Sequence, residues 1–349
     1  MKAKTTTAMA IQEKLTSYLI IGAGSFGAST ALALKKAEPD AHITVIDRTP
    51  FPCPYAAAHD VNKICRGDYG DLMYMKLAIR SMESWTADPL YSRHFHNSGM
   101  LYAYDDAYLR TIIANWEAIY GEGNAPSHLL DLTDAKQRFG GIFENADWSA
   151  AERSLWSPQA ERLKHSPVMA LMATLPAESL PPGDDRVLKC MNDTGFSNNV
   201  YHEPSKQKLS IPPSKVSQLT WSQDMPQVLK DELRTIGQEL HGGLLSKLVP
   251  TYYRMCWDGF TPNQDFIICA HPHAQNLYIV GGGSFHACEF LPVMGDIVVQ
   301  MLRGELDGEM ERRFAWDRPN DGHNSHFSTL QIEISVIYGV RRAFDRDST

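Results

Sequence analysis

The segment Ile20-Ile21-Gly22-Ala23-Gly24-Ser25-Phe26-Gly27 constrains this chain more than any other. An apolar run from Ser17 to Ile21 enters a Gly-x-Gly-x-x-Gly turn, and a stretch of small residues, Ala28 to Lys36, leaves it with helical character. Gly22 permits the tight turn, Gly24 lets a pyrophosphate approach the backbone, and Gly27 lets helix and strand pack closely. The helix N-terminus then attracts negative charge. A second apolar strand, Ala41 to Asp47, completes a βαβ unit. Asp47 falls about 20 residues beyond Gly27, where a carboxylate accepts hydrogen bonds from ribose hydroxyls. Ser25, Phe26 and Arg48 lie beside these contact points and are counted with them. The pattern predicts a bound dinucleotide; alone it does not separate FAD from NAD.

The chain has 349 residues, enough for a large core and two domains. Charged residues make up 21%, and the net charge of -8 comes without a basic run, so a nucleic-acid partner is not expected. No apolar stretch approaches the roughly 20 residues needed to span a bilayer. Met1 to Glu13 contains no apolar h-region, so no secretory signal is expected. The ending Asp-Ser-Thr is no peroxisomal tripeptide, and a cytoplasmic monomer is the expectation. Cys53, Cys65, Cys190, Cys256, Cys269 and Cys288 form no CxxC pair, which suits reduced thiols. No metal-ligand cluster is expected.

Pro50, Pro52 and Pro54 break the opening pattern. Helical spacing follows over Tyr74–Trp85 and Leu109–Tyr120, and Asp131 or Thr133 can cap a short helix reaching Phe139. A turn over 181–186 precedes a short strand, Val187–Met191, and Met225–Leu240 reads as a helix. Three strands are then predicted, Tyr252–Trp257, Phe266–Cys269 and Leu277–Gly281, before an apolar helix, Leu291–Leu302, with a proline in its first turn. Residues 317–349 show no core pattern.

Further motifs stand in a fixed order: Asp60-Val61-Asn62-Lys63-Ile64-Cys65-Arg66, Ser98-Gly99, Arg254-Met255-Cys256-Trp257 with Thr261-Pro262, and Ser284-Phe285-His286-Ala287-Cys288-Glu289-Phe290-Leu291-Pro292. With the glycine turn, they resemble the sarcosine oxidase and fructosyl amino acid oxidase (amadoriase) family. The closest likeness is to its fungal amadoriase and saccharopine-oxidase-like branch, over most of residues 15–318.

The resemblance implies an α/β fold, an FAD-binding doubly wound domain with a second, mixed-sheet substrate domain. Residues 15–90, 140–165 and 250–318 would form the first and 91–139 and 166–249 the second, with 319–349 an irregular tail. It implies an FAD-dependent oxidase of the C–N bond of a secondary amine, giving an imine and hydrogen peroxide from a small amine and oxygen. Cys256 matches the cysteine bonded to the flavin 8α carbon. Ser284, Phe285, His286 and Glu289 match the loop that passes the flavin pyrimidine ring and would stabilise reduced flavin with backbone N–H groups. Lys63 and Arg66 match basic positions near the flavin ring and the substrate acid; Arg66 suits a bidentate carboxylate clamp. Lys189 matches the strand lysine that activates oxygen, so Lys189 and Lys63 are the catalytic candidates. Asp193 stands at a substrate-site position.

The chain also departs from the family. Where relatives carry a substrate-binding lysine it has Glu289, which predicts repulsion of a carboxylate and attraction of an ammonium. After Ser154-Leu155-Trp156-Ser157-Pro158-Gln159-Ala160 it passes within a few residues to Pro167-Val168, matching a much later point, so a block of the nucleotide domain is missing. An impaired, non-catalytic relative is therefore an alternative reading. An NAD-dependent dehydrogenase is a lesser one, because it accounts for nothing after residue 60.

Overall fold

The computed structural model describes residues 16–53, 56–60, 62–97, 99–138, 141, 143–158, 168–172, 176–180, 188–192, 196–197, 199–210, 225, 227–242, 249–319 and 332–333. Strand β1 (Ser17–Ile21), helix α1 (Ser25–Ala37) and strand β2 (His42–Ile46) form the expected βαβ unit, with β1 and β2 parallel from Ser17 opposite His42 to Ile21 opposite Ile46. Helices α2 (Leu72–Ala87) and α3 (Pro89–Ser92) follow, then β3 (Met100–Tyr104), α4 (Asp106–Tyr120), β4 (His128–Leu130), α5 (Leu132–Gln137) and β5 (Arg153–Ser157). Next come β6 (Val168–Met172), β7 (Pro176–Leu180), β8 (Lys189–Asn192), β9 (Phe196–Ser197), β10 (Asn199–His202), β11 (Gln207–Ser210) and α6 (Gln227–His241). Strands β12 (Ile267–Ala270) and β13 (Tyr278–Gly281), a 3-10 turn (Ala287–Phe290), α7 (Leu291–Arg303), α8 (Gly308–Arg313) and β14 (Ile332–Glu333) complete the order.

Helices α2 and α4 start where short polar side chains satisfy orphan N–H groups. Asp71 accepts from the Tyr74 N–H at 3.0 Å and Asp105 from the Tyr108 N–H at 2.7 Å. Helix α4 buries Leu109, Ile112 and Trp116 along one face. Gly67 lies under the Trp116 ring, where a Cβ would collide with it.

The second sheet is mixed, in the order β4-β5-β3-β6-β7-β8, with β3 and β6 parallel and its other pairs antiparallel. Strand β5, within the 140–165 stretch expected in the nucleotide-binding part, sits between β4 and β3 and is bonded to both. The predicted strand Tyr252–Trp257 is not an element; a parallel bridge joins Ala56 to Trp257, and Arg254 is a further bridge residue.

The two ends of the chain meet through helices. The Ser29 hydroxyl donates to the Leu291 carbonyl at 2.6 Å and accepts from the Gly295 N–H at 2.8 Å. A Cβ at Gly295 would drive into the Ser29 backbone. Ala33, Leu34 and Val299 are buried at this contact, with Tyr18, Ile20 and Ile43 packed against them.

The opposite face of β1 and β2 is bare. Leu19 is 62% exposed, Ile21 79% and Ile46 46%. Among the described residues β1 pairs only with β2, and β13 only with β12. A strand in the middle of a doubly wound sheet is flanked on both edges and covered on both faces. Among the described residues this strand has one neighbour, and one of its faces is exposed.

Candidate active site

The glycine turn is built as its sequence predicts. Gly22 has φ 109°, a left-handed conformation, and its N–H donates to the Ile46 carbonyl at 2.7 Å. The Ala23 N–H reaches the Asp47 carboxylate at 2.7 Å, tying the turn to the end of β2. That bond first, then the Thr49 N–H, holds the Asp47 carboxyl below the usual range. A Cβ at Gly27 would collide with the Gly22 carbonyl, so the third glycine is required. Beside Gly22 and Gly24, by contrast, a Cβ would meet nothing within 4 Å. Helix α1 opens onto that space without a side-chain cap and without an acid in its first turn. An open cradle at an uncapped helix start fits a pyrophosphate, and so fits FAD. Ser25 begins the helix, Arg48 is exposed, and Phe26 turns inward, edge-on to Phe266 with ring centroids 5.7 Å apart.

A second constellation brings three distant stretches together. The Lys189 ammonium on β8 lies 2.5 Å from Asp60 Oδ2, Lys63 Nζ lies 3.4 Å from the same oxygen, and Arg254 Nη1 3.8 Å. Lys63 also donates to the Ala57 carbonyl, and Arg254 Nη2 donates to the Ala56 carbonyl at 2.8 Å. The Ala57 N–H donates to the Trp257 carbonyl at 3.2 Å. Cys256 belongs to this group. Protein packing around its thiol pushes the pKa up, Arg254, Lys63 and Lys189 pull it down, and Asp60 pushes it up. Residues placed together from the sequence alone, Lys63, Lys189 and Cys256, are thus neighbours. Asp60, which joins them, was not singled out; no local signal marks a carboxylate whose partner is 129 residues away.

The third part is the loop before α7. Ser284 and Phe285 have φ 45° and 71°, an unusual pair for non-glycine residues. Asp258 holds them: its carboxylate accepts from the Phe285 N–H at 2.7 Å and from the Gly259 N–H at 2.8 Å. The Ser284 hydroxyl accepts from the Thr261 N–H at 3.2 Å, while Thr261 Oγ1 donates to the Asp265 carbonyl at 2.6 Å. This bonding explains why Thr261-Pro262 and the glycine-serine motif occur together.

His286 does not line this loop. Its ring is buried among Tyr69, Tyr74, Phe266 and Phe290, with Nε2 3.0 Å from the Gln264 carbonyl and Nδ1 3.4 Å from the Tyr69 hydroxyl. Burial pulls its pKa down to about 4. Its assignment to the cofactor is corrected to core packing.

Glu289 is buried beneath α2. Its backbone carbonyl accepts from Ser81 Oγ and, at 2.7 Å, from the Trp85 indole N–H. Oε2 accepts from the Arg66 N–H at 3.3 Å, and Oε1 has no partner among the described residues. Burial pushes the carboxyl up to about 8 against the pull of the Arg66 charge. Burial thus favours the neutral acid at pH 7, which weakens the repulsion of a carboxylate expected from a charged Glu289. The Arg66 guanidinium is buried over the Tyr69 ring at 5.1 Å and the Tyr102 ring at 6.0 Å. Asp193 lies outside the described residues, and among those residues no group of His, Cys, Asp and Glu suits a metal.

Residues 17–180 match the family described as FAD dependent oxidoreductase. The chain is similar to L-saccharopine oxidase of Schizosaccharomyces pombe (strain 972 / ATCC 24843), 23% identical over 401 residues, taking in 85% of this chain and 92% of that protein. Eighty-five per cent of 349 residues is about 297, so roughly a hundred positions of that alignment face a gap here. A shorter segment is 35% identical over 81 residues to the amino acid oxidase imqH of Aspergillus flavus, covering 21% of this chain and 16% of that one. Among solved structures, a thermally stable fructosyl peptide oxidase superposes with a TM-score of 0.76 at 18% identity, over 93% of this chain and 98% of that one. Fructosamine oxidase (Amadoriase II) of Aspergillus fumigatus gives 0.72 at 16%, over 93% and 94%. No helix among the described residues is long and apolar enough to cross a membrane. The glycine cradle, the fold and these likenesses agree: the chain carries an FAD-dependent oxidoreductase domain and is a homologue of L-saccharopine oxidase.

Proposed function

We propose that this protein is an FAD-dependent oxidase that converts the C–N bond of a secondary amine, borne by an amino acid, to an imine. The observation that carries the reading is the convergence of Lys63, Lys189 and Arg254 on one carboxylate beside Cys256. Bound FAD would take two electrons from the amine and pass them to oxygen, giving hydrogen peroxide.

The glycine cradle and Asp47 would hold the nucleotide end, and Cys256 would carry the flavin covalently. The Phe285 loop, fixed by Asp258, would pass the flavin ring, although its N–H groups from Ser284 to Ala287 already bond within the protein. Lys189 would supply a positive charge to the oxygen-consuming step. Arg66, whose neighbour Glu289 is favoured as the neutral acid at pH 7, would clamp the substrate carboxylate. An amine bound unprotonated needs no strong base from the chain. Residues 15–90 and 250–318 would form the flavin-binding part, and 91–139 and 166–249, joined by β5, the substrate-facing part.

The bare face of β1 and β2 favours a second reading, a relative of such an oxidase with weakened flavin affinity. One experiment separates the two. Purified protein is supplied with FAD, precipitated with acid, and its spectrum recorded; the same preparation is assayed for peroxide with saccharopine, a fructosyl amino acid and sarcosine. Flavin retained in the pellet and peroxide with one of these amines support the oxidase. A colourless pellet and no turnover support the impaired relative.

A further inference from the structure

Lys189 and Cys256 come from separate parts of the chain, and one side chain spans them. Lys189 sits on β8, the outermost strand of the six-stranded sheet, whose other edge has no strand among the described residues. Asp60 follows the prolines after β2, in a loop tied to the Cys256 segment by the Ala56–Trp257 bridge and by Arg254. The Asp60 carboxylate is 11% exposed and lies within 4 Å of three cationic groups, with Lys189 closest at 2.5 Å. Three like charges gathered in a partly desolvated place repel one another strongly unless an anion lies between them. Asp60 is that anion, and it leaves a net positive charge on the cluster.

We propose that Asp60 is a positioning residue: it fixes the Lys189 ammonium against the Cys256 segment and keeps Lys63 and Arg254 in place around it. Asp60 need not touch flavin or substrate. Its role rests on the oxidase reading given above, because that reading gives Lys189 its task. Asparagine at position 60 keeps the shape and removes the charge, so Lys189 is freed and its reactivity as an amine rises. Glutamate keeps the charge and restores much of the pairing.

The test has one arm that needs no flavin. Purified protein is acylated briefly at pH 8 with a succinimidyl ester, and the labelling of each lysine is read by peptide mass spectrometry, with exposed Lys208 as the internal standard. Lys189 labelling relative to Lys208 should rise about tenfold in Asp60→Asn and return to within threefold of wild type in Asp60→Glu. Unchanged labelling in Asp60→Asn overturns the proposal. Should that variant not fold, wild-type protein decides. Carbodiimide coupling should join Asp60 to Lys189 as one cross-linked peptide, and absence of that peptide overturns the pairing.

The second arm uses flavin-loaded protein in stopped flow. Asp60→Asn should slow flavin reoxidation at least tenfold while reduction by the amine changes less than threefold. Equal losses in both half-reactions would mark a merely structural role and overturn the proposal. A chain that shows the labelling change but whose flavin no amine reduces would overturn the oxidase reading and leave the Asp60–Lys189 pairing standing.

Discussion

Glu289→Gln should make the protein's stability far less sensitive to alkaline pH. The carboxyl has its ordinary value near 4.5 in the unfolded chain and about 8 in the folded one, because burial disfavours the charged form more than Arg66 favours it. Folding therefore takes up a proton between those values. Glu289 contributes fully below pH 4.5, its contribution falls as pH rises through 8, and it is flat beyond. Each pH unit inside the window is worth about 1.4 kcal/mol, so the whole span is at most about 5 kcal/mol. A loss of that size is a large part of a typical folding free energy. Glutamine has the same shape and does not titrate. Its amide leaves one buried polar atom in the unpartnered place of Oε1, an offset of about 1–3 kcal/mol at every pH. Buried His286 and His241, both pulled down to about 4, lose stability as pH falls, and they do so in both proteins. The assay is urea unfolding of wild type and Glu289→Gln at pH 5.5, 7 and 9. Wild type should lose several kcal/mol more than the variant between pH 5.5 and 9. Parallel pH profiles would show that Glu289 is not a neutral buried acid.

Other outcomes follow from the same contacts. Gly295→Ala should destabilise the chain by about 1–3 kcal/mol or more in thermal unfolding, since its Cβ meets backbone at Ser29 that cannot swing aside. Leu19→Ser should change stability by no more than about 0.5 kcal/mol in the same assay, against the 2–5 typical of truncating a buried leucine, because Leu19 is 62% exposed. Cys256→Ser should release all flavin into the supernatant on acid precipitation, whereas wild type retains it on the peptide containing Cys256. Lys189→Met should slow flavin reoxidation in stopped flow far more than reduction, each tenfold reflecting about 1.4 kcal/mol of barrier.

What the sequence made legible was local. The glycine turn, the apolar stripe of α4 and the helix opening at Asp131 each need only neighbours within a few positions, and each is found as read. The strand expected over Tyr252–Trp257 was misread for the same reason. Its residues have strand character, but a strand is completed by a backbone partner, and here the pairing among the described residues stops at isolated bridges. His286 is placed by resemblance in the flavin-passing loop, and the packed rings of Tyr69, Tyr74, Phe266 and Phe290 around it are long-range neighbours that no local pattern shows. For Glu289 the residue was visible and its charge was not, because burial sets that charge.

The bare face of β1 and β2 bears on how the flavin end of this chain is held. A two-stranded sheet is marginal by itself, and β1 and β2 gain no support on their bare face. Their other face rests on α1, and α1 is locked to α7 by the doubly bonded Ser29 hydroxyl and the close backbone approach at Gly295. Helix α7 in turn packs Val293, Met294, Ile297 and Val298 into the large core with Tyr74, Phe266 and Phe290. The glycine turn is thus held through a helix pair anchored in the main core, and strand neighbours are not its chief support. The exposed face at Leu19, Ile21 and Ile46 therefore stands beside an intact cradle at Gly22, Gly24 and Asp47.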